Sequence, residues 1–129
     1  MVDKSQLAIL KGDVNAWNVW RAAHADMTPE LSGADLCGLD LVRVDLRGAD
    51  LRKADLRGAN FSDATLAGAH LEGANFFRAV LDRADLSGAH LHGAQFLSGE
   101  QLATSRNWQS AFRDHELACG APIPREHAG

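Results

Sequence analysis

The residues best suited to chemistry in this chain are His70 and Glu72, which flank a leucine, and His90 and His92, which flank another leucine 20 positions later. Imidazoles and carboxylates bind zinc or nickel when their donor atoms converge within about 2 Å of one ion. Imidazole is also the side chain suited to a pH-responsive surface, the other role this group could fill. Little else in the sequence resembles a reactive site. There is no nucleophile elbow, phosphate-binding glycine loop, HExxH pair or paired CxxC, and the chain therefore reads as neither an enzyme nor a cofactor carrier. Cys37 and Cys119 lie far apart and match no metal-binding spacing, which favours free thiols in a reducing cytoplasm. Whether the four side chains meet depends on the backbone that carries them.

Composition narrows that backbone. The chain has 129 residues, of which 46% are apolar, enough for one domain with a real core. Its formal charge is −4, with no excess of lysine and arginine for neutralising phosphates, so direct nucleic-acid binding is not expected. The N-terminal segment "MVDKSQLAILKGD" holds an apolar run of only four residues, too short for a secretory core, and no stretch approaches the length of a membrane span. A cytoplasmic protein without membrane contact is the expectation.

A repeat dominates the middle of the chain. Counting in fives from Leu31 meets Leu36, Leu41, Leu46, Leu51, Leu56, Phe61, Leu66, Leu71, Phe76, Leu81, Leu86, Leu91 and Phe96 without an insertion. Two residues before each centre, from Ala34 to Ala94, eleven of thirteen positions are alanine, the exceptions being Leu39 and Val44. Two residues after the centre, glycine occurs eight times, marking a turn. In extended chain, residues two apart share a face, so each unit is a short side carrying an inward centre and an inward small residue, followed by a corner. Such sides stack by backbone hydrogen bonds about 4.8 Å apart and bury the centres in a column, and the alanines must be small because the interior is narrow. A helix fails, because a period of five scatters the leucines around a 3.6-residue turn and places glycines in its interior.

The units "ADLRG", "ADLRK", "ANFSD" and "ADLSG" resemble the A(D/N)LXX motif of the pentapeptide-repeat proteins. The resemblance covers about residues 31–98, with His70 and His90 among the departures at the usual Asp/Asn position. It implies an all-β solenoid, a right-handed quadrilateral β-helix with four units per coil, here about three and a half coils. The chain then divides into an N-terminal helical cap (1–29), the β-helix (30–98), a C-terminal helix (99–119) and a tail (120–129). The first helix is capped near Asp13 and stops before Pro29, with Trp17, Trp20 or Arg21, and His24 at helical spacing. The second carries Leu102, Trp108, Ala111 and Phe112 as its buried face.

With coils of 20 residues the outer side chains fall into columns. One side presents Asp50 and Arg52, then His70 and Glu72, then His90 and His92, with rungs about 5 Å apart. Flat sheet positions splay their side chains, so the plain expectation is a solvated ladder, and no metal is assigned. On the next side Phe77 and Leu97 share an outward column, an apolar surface suited to covering or contact. The candidate contact residues are therefore Arg52, His70, Glu72, Phe77, His90, His92 and Leu97. The Asp45/Arg47, Asp50/Arg52 and Asp55/Arg57 pairs read as solvated surface ion pairs of small individual worth.

The leading functional expectation is a non-catalytic protein–protein interaction module with a protein partner. It allows for a homodimer through the C-terminal helix or the Phe77/Leu97 face. The resemblance also implies a runner-up, a DNA-mimicking protein that binds and protects gyrase. Against it stand a rod of only roughly 17 Å and a repeat region with nine acidic and seven basic residues. A metal-binding or pH-responsive histidine surface is the third alternative.

Overall fold

Residues 2–113 are described by the computed structural model of the chain. From Glu30 onward the backbone winds so that each residue at the outer Asp/Asn position pairs in parallel with the residue 20 positions later: Glu30 with Asp50, Asp50 with His70, and His70 with His90 on one side. Three more ladders start at Asp35, Asp40 and Asp45. Twenty residues per coil in five-residue units make four sides. Each side is so short that the pairing is a single bridge rather than a continuous strand.

Hydrogen bonding explains why the unit has five residues. In the unit around His70, the Ala69 N–H donates to Leu66 O across the corner and the His70 N–H to Ala49 O on one neighbouring coil. The Leu71 and Gly73 N–H groups donate to His90 O and His92 O on the other. The remaining N–H, just after the centre, has a different acceptor in most units: the side chain of the Asp or Asn two residues earlier. Arg52 N–H donates to Asp50 Oδ1, Phe77 N–H to Asn75 Oδ1 and Ser87 N–H to Asp85 Oδ1, at 3.0–3.2 Å. The aspartates are thus Asx-type corner caps as well as outward charges. The corner's third residue has positive φ while its second does not, the combination found in a type II turn. Glycine meets that demand at Gly48 (φ 66°), whereas Lys53 and Arg78 accept it at φ 61°.

The interior is a stack of side chains. Leu31, Leu36, Leu46, Leu51, Leu56, Phe61, Leu66, Leu71, Phe76 and Leu86 are fully buried, as are most of the alanines that face them. Val44 is buried in an alanine position of the first coil, and Leu39 is only partly covered there.

Two helices close the first coil. α1 (Lys4–Gly12), which the sequence reading did not anticipate, is capped by the Asp3 side chain, and α2 (Val14–Ala23) is capped by Asp13 as expected. Their side-chain amides stand in for a missing rung. Asn18 Oδ1 accepts from the Asp45 N–H at 2.8 Å while its Nδ2 donates to Arg43 O, and Gln6 Oε1 accepts from the Glu30 N–H at 2.7 Å. Trp17 is fully buried and donates its Nε1–H to Asp45 O at 2.8 Å. Buried Arg21 donates to the carbonyls of His24, Met27 and Arg47, tying the end of α2 to the coil.

The other end departs from the expected helix over residues 99–119. α3 spans only Gly99–Thr104, opened by a capping box between Ser98 and Gln101. Gln101 Nε2 also donates to Phe76 O and Ala79 O, closing that side of the coil. The chain then returns to the solenoid: Arg106 pairs with Asp85 and Phe112 with His90, advances of 21 and 22 residues, with a 3₁₀ turn at Trp108–Ser110 between them. Leu102, Trp108 and Ala111 are buried as expected, but Phe112 is half exposed because it is an outer ladder residue. The expected helix beyond residue 113, the tail and Cys119 lie outside the described residues.

Candidate functional site

On the side built from Glu30, Asp50, His70, His90 and Phe112, the aromatic side chains of the last three form a stack. The His70 and His90 rings lie 4.4 Å apart and 6° from parallel, and His90 stacks on Phe112 at 4.9 Å. The bridge pairing sets this arrangement, because directly paired residues on parallel rungs project side by side. The expected splaying is therefore absent from this column. Glu72 folds back toward it, with Oε1 3.7 Å from His70 Nδ1. One donor atom from each of His70, Glu72 and His90 lies within 4.8 Å of the other two, a group that does not include His92. Arg52, one rung away, is committed to Asp50 through a two-pronged contact at 2.9 and 2.7 Å. The column thus unites three of the sequence-predicted residues and leaves Arg52 and His92 beside them.

The apolar column on the next side needs a correction. Leu97, expected outside, is fully buried, and Phe96, expected as the last centre, is 58% exposed with φ 56°. The repeat slips by one residue here, immediately before the Ser98 cap of α3, and the interior is filled from position 97 instead. Phe96 meets Phe77, itself 47% exposed, edge to face at 5.7 Å, and the Arg78 guanidinium lies over the Phe77 ring at 5.4 Å. Val80 adds a further exposed apolar residue close by in sequence. The outward aromatic corner is therefore Phe77, Phe96 and Arg78, with Val80 on the next side of the coil. Phe96 and Phe112 escaped the sequence reading because their orientation depends on where the five-residue register breaks.

Four arginine–aspartate pairs lie elsewhere on the surface. Asp45, Asp50 and Asp55 each hold the arginine two residues on, and Asp63 holds Arg83 across one coil at 2.8 Å. Hydrogen bonds from these arginines hold the carboxyls of Asp50, Asp55 and Asp63 below the usual range. At Asp45 burial pushes upward, but the bonds from Arg47 outweigh it. A carboxyl lowered in the folded chain stabilises it above the unfolded value and ceases to do so as the pH drops through the folded one. Stability is therefore expected to be steady near neutrality and to decline below about pH 4. Replacing Arg47, Arg52 and Arg57 together by glutamine is expected to flatten that decline, read as the melting-temperature difference between neutral and acid solution; an unchanged difference would contradict the assignment.

The stacked four-sided coil defines a repeat protein of the β-solenoid class. The family model of pentapeptide repeats matches residues 30–66 and 59–96, more than half of the chain. The chain belongs to the pentapeptide repeat family, a family of right-handed quadrilateral β-helices that are in general protein-interaction modules rather than enzymes. Among solved structures it is similar to a pentapeptide repeat protein of the Arabidopsis thaliana thylakoid lumen, at 27% identity over 75% of this chain and 70% of that one, with a TM-score of 0.44. It is also similar to HetL from the cyanobacterium Nostoc, a pentapeptide repeat protein involved in heterocyst differentiation regulation. There the identity is 31% over 74% of this chain and 43% of that one, with a TM-score of 0.35. No curated protein matches the sequence. Among the described residues no helix is long and apolar enough to cross a membrane.

Proposed function

We propose that this chain is a non-catalytic interaction module that binds a protein partner through the corner carrying Phe77, Arg78 and Phe96. The observation that carries the proposal is two large aromatic rings held exposed against each other, with an arginine over one of them. Phenylalanine and arginine are enriched in protein interfaces, and aromatic anchors on a rigid scaffold lose little entropy on binding. The backbone beneath them is fixed: Phe77 O accepts from the Gly58 N–H and Phe76 N–H donates to Gln95 O. The partner is either another protein or a second copy of this chain. DNA mimicry fits less well, because four of the acidic side chains that would imitate phosphates are neutralised by arginines.

The test is affinity capture from a native lysate by the intact chain and by a Phe77→Ala/Phe96→Ala variant, with light scattering of both to detect self-association. The expected result is a protein, or a dimer, held by the parent chain and lost in the variant while its melting temperature is retained. The same binding in both would overturn the proposal.

A further inference from the structure

We infer that His70, Glu72 and His90 form a binding site for a divalent transition metal of the zinc class, supplied by three ligands of this chain. The inference stands on different residues from the aromatic corner and does not depend on it. Donors around a tetrahedral ion at 2.0–2.1 Å lie about 3.4 Å apart. His70 Nδ1 and Glu72 Oε1 are already 3.7 Å apart, and the three donors fall within 4.8 Å of one another. Parallel rings aim their lone pairs side by side, so ligation requires the imidazoles to turn about χ2. That torsion is broad for histidine, and turning the His90 ring exchanges its stacking on His70 and Phe112 for ligation.

A second observation points to a cation. Within a side chain that is 37% exposed overall, Glu72 Oε1 is itself shielded from solvent, and among the described residues no donor hydrogen-bonds to it. A buried carboxylate oxygen without a donor is costly, and a metal ion would remove that cost. Arg52 on the adjacent rung acts on Glu72 only through its charge, because its hydrogen bonds go to Asp50.

The local sequence cost points the same way. His70 and His90 occupy the position where Asp or Asn caps the corner in most other units, so two successive rungs on one side give up a local hydrogen-bond acceptor. Departures from a local rule gather where a site is built. Two imidazoles and a carboxylate suit zinc, nickel or copper rather than magnesium or calcium, which prefer oxygen ligands throughout. Three protein ligands leave a coordination position for water. The other group of potential ligands, Asp35, Cys37 and Asp55, is already engaged: Asp55 is bound to Arg57 in two-pronged fashion and Asp35 accepts from the Cys37 N–H.

The test is calorimetric titration of the untagged full chain with zinc chloride, alongside its melting temperature with and without zinc. One zinc per chain and a zinc-dependent rise in melting temperature are expected. His70→Ala, His90→Ala and Glu72→Gln should each weaken binding by at least about tenfold, since even outer-shell losses reach that size. His92→Gln should leave binding unchanged. Glu72→Gln is near-isosteric, so its effect separates lost ligation from lost folding. No saturable binding, or binding that survives all three substitutions, would overturn the inference.

Discussion

Replacing Trp17 by alanine is expected to lower the free energy of unfolding by about 3–5 kcal/mol, the range for deleting a fully buried large aromatic. Trp17 has no exposed surface, lies 5.1 Å from the Trp20 ring and satisfies Asp45 O with its indole N–H. Its removal therefore opens a cavity and withdraws a hydrogen bond at the same place. The position adds to the effect. Each coil of a solenoid touches only its neighbours, so the first coil has no rung below it and depends on what α1 and α2 supply. Trp17→Phe keeps most of the ring and loses the donor, and should cost about 1–2 kcal/mol. Urea unfolding followed by far-ultraviolet circular dichroism measures both, and a loss for Trp17→Ala no larger than that for Trp17→Phe would show that the indole does not close the coil.

Phe61→Ala is expected to cost about 3–5 kcal/mol, whereas Phe61→Leu should cost less than about 1.5 kcal/mol. Phe61 is fully buried, and the residues one coil away on either side, Leu41 and Leu81, occupy the same station of the column. A station that already accepts leucine above and below has the shape for it here. Alanine instead leaves a void between two rungs whose backbones are held by bonds such as Phe61 N–H to Val80 O and Val80 N–H to Ala59 O, so they cannot close in. Denaturant midpoints for the pair test this directly. Equal losses would mean that the column is packed for phenylalanine at this level and is not the uniform stack that the repeat suggests.

The column was legible because its signal is repeated: one inward leucine or phenylalanine per side leaves only one face for the core. α2 was legible from Asp13 and from the spacing of Trp17 and Arg21. The end of the repeat was not, because Phe96 and Leu97 are both apolar and periodicity admits either inside. The choice falls immediately before the Ser98–Gln101 capping box, a contact between neighbours that a five-residue count does not see. The C-terminal helix was overextended for a related reason. Leu102, Trp108 and Ala111 are buried at spacings compatible with one helix, but they are divided between α3, a 3₁₀ turn and a rung. The amides that close the edges, Gln6, Asn18 and Gln101, are single polar residues with no pattern to betray them. At the histidine column, the pairing of His70 with His90 followed from the 20-residue coil. The inward fold of Glu72, and the exclusion of His92 from the donor group, are rotamer choices beyond the reach of spacing.

The molecule divides into a regular scaffold and the places where its rule breaks, and binding is proposed at the breaks. Hydrogen exchange of the protein alone and bound to its captured partner tests that assignment most directly. Added protection is expected in peptides spanning Phe77 to Val80 and Gln95 to Leu97, with the Asp45, Asp50 and Asp55 corners unchanged. Protection confined to those aspartate corners, with the aromatic segments unaffected, would contradict it.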